Sequence, residues 1–388
     1  MVSGQRYYPR LVLPPKGSFF LLGVRGVGKS TWARDKFPDA YWVDLLDESR
    51  YQTLLANPGL LASELRDLPA QRAVVLDEVQ RIPPLLNEVH RAIESSRRRF
   101  VLLGSSARRL KTATTNLLAG RAVLRTMHPL VPAELGGDFD LERVLRFGSI
   151  PVIWQADDPR AALDAYVQLY VKEEIRSEAL VRNLPGFLRF LPLAALFHGQ
   201  VINVAGLARD AATARATVEG YLDILQDTLL ATLLPAFELR LRVRERRHPK
   251  LYWVDAGLAR AAKRQLGPVG AEERGPLLEG SILTVLRAHN EQDDLFEEIA
   301  YWAPVQARQT EVDFLMRRGR DYLALEVKAR SRLSPSDLSG LRALAEARRV
   351  ARRVLIYLGE QRLRTEDGIE VWPLPTFLDA MVKGTLWP

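Results

Sequence analysis

The sequence predicts an α/β protein of 388 residues that is built from several units. Three observations lead to this prediction. Near the N-terminus, short apolar runs end in a glycine-rich loop or in acidic residues, as the central strands of a parallel sheet do. In the middle of the chain, apolar residues recur at helical spacing. Near the C-terminus, two alternating segments flank a turn and predict a β-hairpin. A chain of this length exceeds one ordinary core, so we expect two or three domains.

The composition limits the class of protein and of partner. The chain has no cysteine, which excludes disulfides, thiol nucleophiles and thiolate metal sites. It has no run of about 20 apolar residues, so no membrane-spanning helix is predicted, and its start lacks the apolar core of a signal peptide. We therefore expect a cytoplasmic protein. The net charge of +8 favours a polyanionic partner, most simply nucleic acid, although an arginine-rich proteome would give the same charge.

The first predicted strand, Phe19–Leu22, leads into the loop GVRGVGKS at residues 23–30. This loop fits the pattern G-x-x-x-x-G-K-[ST], whose backbone N–H groups bind nucleotide phosphates at a helix N-terminus. We expect Lys29 to reach the β- and γ-phosphates of ATP as a catalytic group, and Ser30 to hold Mg²⁺. The residues predicted to contact the nucleotide and its metal are Gly23, Gly26, Val27, Gly28, Lys29, Ser30, Thr31, Asp77 and Ser105.

A second predicted strand ends in two acids. Residues 73–80 read AVVLDEVQ, which places Asp77 and Glu78 at the carboxyl edge of a central strand, where parallel sheets bind their ligands. We expect Asp77 to hold Mg²⁺ through water and Glu78 to polarise the attacking water as the catalytic base. The alternative interpretation is an ordinary strand that is followed by a charged turn.

A third predicted strand, Phe100–Gly104, leads into Ser105. The Ser105 hydroxyl is expected either to sense the γ-phosphate or to cap the next helix. Downstream, Arg108, Arg109 and Arg121 are candidates for an arginine that completes the site of a neighbouring subunit, and Arg121 is the preferred one. An ordinary surface arginine is the alternative. The intersubunit arginine implies a homo-oligomer, for example a hexamer.

The segments GVRGVGKS, VVLDEVQ, LLGSSARRL and LAGRA occur in an order that resembles the AAA-type ATPases of an archaeal and bacterial group with a C-terminal domain of unknown function. The resemblance covers nearly the whole chain. It implies a P-loop AAA+ domain over residues 1–135 and a helical lid or linker over 136–182, where residues 160–180 have helical periodicity. The group commonly shows G-P-R-Q-V-G-K-T. Val24 and Gly26 replace the proline and glutamine, and neither change touches a phosphate-binding group.

Residues 183–256 follow the pattern of a winged helix-turn-helix. A short helix over 204–209 is followed by a turn and by a second helix, Thr217–Thr228, whose apolar positions recur at i, i+3, i+4 and i+7. The start of that helix exposes Thr213, Arg215 and Thr217, as a DNA-reading helix does. The segment PKLYWVDAGLAR is similar to the signature P-K-x-Y-x-x-D-x-G-L of the same group of ATPases.

An alternating row of arginines follows that helix. Residues two apart share one face of a strand, so this row predicts a wing that contacts DNA phosphates. The alternatives are an edge strand that is protected from aggregation by charge, and a unit that serves only in subunit contacts. The row consists of Arg240, Arg242, Arg244 and Arg246.

The C-terminal unit, residues 257–388, carries two carboxylates that face each other across the predicted hairpin. If the hairpin folds symmetrically about Gly319 and Arg320, Asp313 lies opposite Glu326, and Lys328 falls on the same face. The opposite face then forms a core. The expected core residues are Val312, Phe314, Leu325 and Val327.

Two facing carboxylates repel unless a positive charge lies between them. Oxygen ligands of this kind suit Mg²⁺ or Mn²⁺, with Asp313, Glu326 and the helical Glu279 as expected ligands. Lys328 would then activate a water, which makes Asp313, Glu326 and Lys328 candidate catalytic residues. This spacing resembles the PD-(D/E)XK restriction-endonuclease-like fold, with Val312 in place of its usual proline. A structural ion-pair network, or a fold that binds DNA without cutting it, is the alternative.

Two functions from different classes fit these predictions. The first is a Mg²⁺-dependent ATPase that acts on duplex or branched DNA, such as repair intermediates, with a metal-dependent nuclease domain. The second is a nucleotide-switched regulator or scaffold whose nuclease-like domain is inert. A third, an ATP-gated signalling protein related to immune switches, is disfavoured by the carboxylate cluster.

Overall fold

The computed structural model describes residues 6–106, 120–171, 175, 183–237, 247–305, 310–346 and 350–388. The N-terminal part is a parallel five-stranded sheet with helices packed against it, in the strand order β2-β3-β4-β1-β5. Its strands are β1 Ser18–Leu22, β2 Tyr41–Asp44, β3 Val74–Asp77, β4 Phe100–Gly104 and β5 Ala122–Thr126. Its helices are α1 Lys29–Lys36, α2 Glu48–Ala56, α3 Leu60–Arg66 and α4 Leu85–Ser96.

The three strands predicted from apolar runs are confirmed, and they lie side by side as β3, β4 and β1. All three are buried along their length, which explains why they read as continuous apolar runs rather than as alternating ones. Because the strands are parallel, their carboxyl ends meet at one edge. That edge brings the loop after β1, the acids after β3 and Ser105 after β4 together.

A helical connector follows the sheet. Its helices are α5 Pro132–Leu135, α6 Leu141–Phe147, α7 Pro151–Trp154 and α8 Pro159–Ala165. Residues 160–180 were predicted to be helical, and the described start of this segment is helical: α8 ends at Ala165 and the chain continues as a π-helix, Tyr166–Val171. Beyond it, only residue 175 of the rest of this predicted helix is described.

The middle unit combines helices with a small antiparallel sheet in the order β6-β8-β7. Its elements are α9 Leu184–Leu196, β6 Gln200–Val201, α10 Val204–Asp210, α11 Arg215–Asp227, β7 Ala231–Leu234 and β8 Lys250–Trp253. Helix α11 begins two residues earlier than predicted, after a turn in which Ala212 has a φ of 48°. Its predicted apolar face is buried. Residues 238–246, which include the arginine row, lie outside the described part of the chain.

The C-terminal part is a six-stranded mixed sheet in the order β13-β14-β12-β11-β10-β9, with a long helix against it. Its strands are β9 Glu298–Trp302, β10 Val312–Arg318, β11 Asp321–Lys328, β12 Val350–Tyr357, β13 Leu363–Arg364 and β14 Glu370–Pro373. Its helices are α12 Ala256–Ala262, α13 Ala271–Asp293, α14 Ser339–Ala343 and α15 Leu374–Val382.

The predicted hairpin register is confirmed, since Phe314 pairs with Leu325 and Arg318 pairs with Asp321. One face assignment was wrong. The pairing of β10 with β9 shifts between Val312 and Leu315, and this bulge turns Val312 into the core on the opposite side from Phe314. After the hairpin, two short 3₁₀ turns lie on either side of α14.

Two cores join the units. The first runs from β1 and α1 through the connector into α9, α11 and α12. The second includes Leu234 and Tyr252 of the middle unit together with α13 and the C-terminal sheet. The middle unit therefore packs against both ends of the chain, and β8 contributes to both cores.

Candidate nucleotide site and buried carboxylate cluster

The glycines of the loop at 23–30 are required by its shape. Gly26 and Gly28 have φ angles of 75° and 99°, a region that strongly favours glycine. A side chain on Gly26 would come within 2.5 Å of Val152, and one on Gly23 within 2.6 Å of the Met127 carbonyl. Helix α1 begins at Lys29 with no side-chain cap, so its first N–H groups are available to a ligand. Among the other predicted contact residues, Val27 is buried and Thr31 is exposed.

The side chain of Lys29 is buried against the predicted phosphate-binding loop. Its Nζ atom donates to the Gly23 carbonyl at 2.7 Å and to the Val24 carbonyl at 3.3 Å. The ammonium group therefore lies inside the loop, held by carbonyl acceptors that phosphate oxygens could replace.

Ser30 and Asp77 lie near each other at the carboxyl edge of the sheet, close enough for the Ser30 hydroxyl to influence the pKa of Asp77. Asp77 is buried, and within the described residues its Oδ1 atom has no hydrogen-bond partner. Burial raises the pKa of Asp77, while the nearby Ser30 hydroxyl acts to lower it. A hydroxyl beside a buried carboxylate oxygen that still needs a partner is a donor set that fits Mg²⁺.

Glu78 is held in place by two polar neighbours. The Ser105 hydroxyl donates to Glu78 Oε2 at 3.0 Å, and Gln80 donates to the same carboxylate oxygen. Gln80 Nε2 also lies 2.9 Å from Ser105 Oγ, which closes a triangle of hydrogen bonds. Glu78 has a φ of 58°, which is strained for a residue other than glycine. Ser105 was expected to contact phosphate or cap a helix, and here it orients Glu78. Sequence reasoning missed Gln80, although it lies within the quoted motif.

Arg10 supports the loop from behind, and no sequence pattern pointed to it. Its Nη1 atom donates to the Val27 carbonyl at 2.6 Å, and its Nη2 atom donates to the His128 carbonyl. Its Nε atom donates at 3.0 Å to Glu134, which also accepts from the backbone N–H of Leu11. Both charged side chains are buried. Arg10 thus ties the loop to the connector through partners that are distant in sequence.

The connector contacts the loop directly as well. The backbone N–H of Val152 donates to the Gly26 carbonyl at 3.4 Å, and the Tyr166 hydroxyl donates to the Arg25 carbonyl at 2.8 Å. Just before α7, the N–H of Ser149 donates to Asp255 Oδ2 at 2.7 Å. Asp255 follows β8 and caps α12. Burial raises the pKa of Asp255 to about 6, against several backbone donors that lower it.

The predicted intersubunit arginines are only partly described. Arg121 forms an ion pair with Glu94 of α4 on the surface of the same chain. Arg108 and Arg109 lie outside the described residues. The role of an arginine in a neighbouring subunit's site therefore stays a prediction.

The carboxylates predicted in the C-terminal unit do come together, around a lysine that was not predicted. Lys250 of β8 places its Nζ atom 2.8 Å from Glu279 Oε1, 3.0 Å from Asp313 Oδ1 and 3.5 Å from Glu311 Oε1. Tyr252 donates a hydrogen bond to Glu279. We call Lys250, Tyr252, Glu279, Glu311 and Asp313 the Lys250 cluster.

Burial and neighbouring charges together shift the pKa values of the residues in this cluster. Burial opposes the ammonium form of Lys250, but the surrounding acids, Glu279 first, raise its pKa well above the usual value. Burial and then the Asp313 charge raise the pKa of Glu279 to about 8. Burial alone would raise the pKa of Asp313, but Lys250 and other donors hold it below its usual value.

Glu326 and Lys328 pair beside the cluster. Lys328 forms an ion pair with Glu326 Oε1, and the N–H of Val327 donates to Asp313 Oδ2 at 2.9 Å. Among the described residues, no group of three or more His, Cys, Asp or Glu side chains is arranged to hold a metal ion. Metal ligation by Glu279, Asp313 and Glu326 is therefore not supported, because Lys250 supplies the positive charge that a metal was expected to supply.

Three family models match successive parts of the chain. Residues 16–136 match the AAA domain, residues 138–268 match a domain of unknown function (DUF8612), and residues 274–377 match a second domain of unknown function (DUF4143). The first match, together with the parallel sheet and the glycine loop, makes the N-terminal part similar to AAA-type P-loop ATPase domains. None of the described helices is long and apolar enough to cross a lipid bilayer.

Two mycobacterial proteins are similar over most of the chain. They are the uncharacterized proteins Rv2008c of Mycobacterium tuberculosis and Mb2031c of Mycobacterium bovis. Each is 29% identical over 370 residues, which covers 92% of this chain and 80% of the relative. The similarity thus extends through all three matched domains.

Solved structures give weaker likenesses. The Orc1 protein of Aeropyrum pernix, in complex with DNA, is 15% identical, covers 68% of this chain and 88% of its own, and has a TM-score of 0.27. A signal transduction ATPase with a tetratricopeptide repeat sensor, from Pyrococcus horikoshii, is 12% identical, covers 75% of this chain and 49% of its own, and has a TM-score of 0.22. These scores are too low to carry an argument about function.

Proposed function

We propose that the chain binds ATP with Mg²⁺ at the loop of residues 23–30, hydrolyses it, and couples this cycle to DNA held by the middle unit. The position of Ser30 beside Asp77 carries the ATPase part of the proposal. A hydroxyl lies near a buried carboxylate whose Oδ1 atom has no described partner, at the edge where the uncapped α1 begins.

The residues divide the work as follows. The loop N–H groups and the start of α1 bind phosphate oxygens. Lys29 exchanges its carbonyl acceptors for the β- and γ-phosphates, while Ser30 and Asp77 hold Mg²⁺, Asp77 through water. When bound, Mg²⁺ neutralises the charge that develops on the phosphate oxygens. Glu78 orients and polarises the attacking water, and the bonds from Ser105 and Gln80 set its direction.

The DNA part of the proposal draws on the middle unit. We infer a winged helix from its order of helices and strands, with α11 as the recognition helix. Arg215 at the start of α11 is exposed, and its ion pair with Glu219, one helical turn away at 2.9 Å, lies on the surface, where such pairs contribute little stability. The net charge of +8 and the predicted arginine row at 240–246 add a sequence-independent attraction to phosphates. The substrate class is duplex or branched DNA, and the assembly is a homo-oligomer in which Arg121 acts on a neighbouring site.

ATP turnover with and without DNA tests this proposal. Steady-state hydrolysis is measured at millimolar Mg²⁺ with no DNA, with a linear duplex and with a four-way junction. We expect DNA to stimulate turnover, Arg215→Ala to weaken that stimulation, and Lys29→Ala to abolish turnover altogether. Lys383→Ala, at an exposed lysine just after α15, is the matched control and should behave like the wild type. If no DNA changes the rate of ATP turnover, the proposed coupling to DNA is contradicted, while the proposed ATPase activity is not.

A second candidate is a nucleotide-switched scaffold whose C-terminal unit is inert. The Lys250 cluster favours it, because an ammonium group lies among the acids that a nuclease would use for metal. Asp313→Ala separates the two functions. If this variant leaves DNA binding, stimulation and cleavage unchanged, the scaffold is favoured; a loss of cleavage favours the nuclease.

A further inference from the structure

The Lys250 cluster joins two units of the chain. Lys250 and Tyr252 come from β8 of the middle unit, whereas Glu279 lies on α13 and Asp313 on β10. Lys250 is 2% exposed, and Asp313 is equally buried. Burying an ammonium group is costly unless acids surround it closely, and here three acids do so. The cluster is therefore an ion network that both units must complete.

A divalent metal ion does not fit among these acids while Lys250 is present. Mg²⁺ and Mn²⁺ need carboxylate oxygens in direct contact, at roughly 2.1 Å for Mg²⁺. Lys250 Nζ lies at 2.8 Å and 3.0 Å from the two oxygens that such an ion would share. The ammonium group and the metal would then compete for one position, and their like charges would repel.

The carboxyl groups at this place nevertheless include an oxygen atom that could still accept a cation. Glu326 is buried beside the cluster, and its Oε2 atom has no hydrogen-bond partner among the described residues. Burial, and after it the Asp313 charge, raises the pKa of Glu326 well above its usual value. Four carboxyl groups thus lie near two ammonium groups, those of Lys250 and Lys328, and the raised pKa values of Glu279 and Glu326 mean that protons, rather than further cations, offset the remaining charge.

We propose that Lys250 is a built-in counter-ion that keeps divalent metal out of the C-terminal carboxylates, and that loss of its charge turns them into a site for Mn²⁺ or Mg²⁺. The ligands of that site are Asp313 and Glu279, with Glu311 and Glu326 at its margin. Because β8 belongs to the middle unit, the metal-free state depends on how that unit packs against the C-terminal sheet. The inference does not rest on the ATPase proposal, since it concerns residues outside the nucleotide site.

Mn²⁺ binding to the nucleotide-free full chain tests the proposal. Free Mn²⁺ is followed by electron paramagnetic resonance during titration of the wild type, Asp313→Asn, Lys250→Gln, and the double variant Lys250→Gln with Asp313→Asn. We expect Lys250→Gln to gain about one Mn²⁺ per chain over the wild type, and the double variant to lose that gain. Lys383→Gln is the matched control, because Lys383 also pairs with an acid but on the surface. It should bind as the wild type does.

Two results would overturn the proposal. One is a folded Lys250→Gln chain that binds no more Mn²⁺ than the wild type. The other is a wild type that binds more Mn²⁺ than Asp313→Asn, since Lys250 would then not exclude the ion. Should Lys250→Gln be unfolded without metal, circular dichroism decides, because metal that binds only the folded state must restore the fold. No restoration at millimolar Mn²⁺ contradicts the proposal. ATP binding by the same variants shows separately whether the nucleotide site is intact.

Discussion

The Ser105 hydroxyl donates a hydrogen bond to the Glu78 carboxylate at 3.0 Å, across the carboxyl ends of β4 and β3. The bond connects two residues that the sequence placed at one sheet edge without specifying any contact between them. It makes Ser105 a residue that sets the direction of the proposed base. Glu78 has a φ of 58°, which is strained for this residue. The hydrogen bonds from Ser105 and Gln80 fix the direction of its side chain.

Removing this bond is expected to slow hydrolysis without preventing nucleotide binding. Ser105→Ala leaves Glu78 with Gln80 as its only described partner, so the carboxylate loses its fixed direction. We expect kcat for ATP to fall by about 10- to 100-fold, a part of what a positioned base contributes, with little change in KM. Steady-state ATP hydrolysis measures both. Ser96→Ala, at an exposed serine of α4, is the control. A fall in KM alone would contradict this role.

Arg10→Ala is expected to damage both the loop and the fold. The change removes a donor from the Val27 carbonyl and leaves Glu134 buried without its cation. Breaking a buried ion pair from one side costs about 3–5 kcal/mol of the free energy of unfolding. We also expect a weaker affinity for ATP in chains that remain folded. Denaturant unfolding and ATP titration measure the two effects.

Arg6 offers the matched comparison for Arg10. It pairs with Asp138 at 2.5 Å, but its side chain is 65% exposed, so Arg6→Ala should cost little. Equal losses of stability in the two variants would show that burial of Arg10 is unimportant.

Gly148→Ala is expected to disrupt the contact between the connector and α12. A side chain at this residue would lie 1.8 Å from Asp255 Oδ1, and Gly148 has a φ of 76°. Both effects strain the folded state, and we expect a loss of several kcal/mol, on the order of the largest effects of single substitutions. Thermal unfolding measures this loss. Gly137→Ala has open space around it and a permitted backbone, so its melting temperature should stay near that of the wild type.

Asp255 gives a pH dependence with a definite sign. Its pKa rises from 3.8 in the unfolded chain to about 6 in the fold. A raised carboxyl pKa stabilises the fold at low pH, and this contribution is lost as the pH rises from about 4 to about 6. The shift corresponds to about 3 kcal/mol. We compare the unfolding free energies of the wild type and Asp255→Asn at pH 4 and pH 7. The wild type should lose more stability over this range, and parallel curves would contradict the assignment.

The parts of the site that the sequence predicted are those with local patterns. The glycine loop, the acids after β3 and the hairpin register each follow from spacing within about ten residues, and parallel strands then bring their ends to one edge. The bulge between Val312 and Leu315 interrupts the alternation of side chains along β10, because it inserts an extra residue that a periodic sequence pattern does not predict.

The parts that the sequence did not predict depend on distant contacts. Arg10 meets Glu134 across 124 residues, and Lys250 meets Asp313 across 63. Such pairs depend on how the units pack against each other, and this packing cannot be predicted from any single segment of the sequence. A metal ion was expected because facing carboxylates repel each other. In the structure a lysine from another unit, Lys250, relieves this repulsion instead.

Equilibrium binding of labelled ATP to the purified chain at millimolar Mg²⁺ shows whether the loop of residues 23–30 is a nucleotide site. We expect about one ATP per chain for the wild type, and a loss of binding when Lys29→Ala removes the ammonium group inside the loop. Ser30→Ala should retain weaker binding that no longer improves with Mg²⁺, because its hydroxyl is a proposed metal ligand. If a folded wild type retains no ATP under these conditions, the loop is not a nucleotide site.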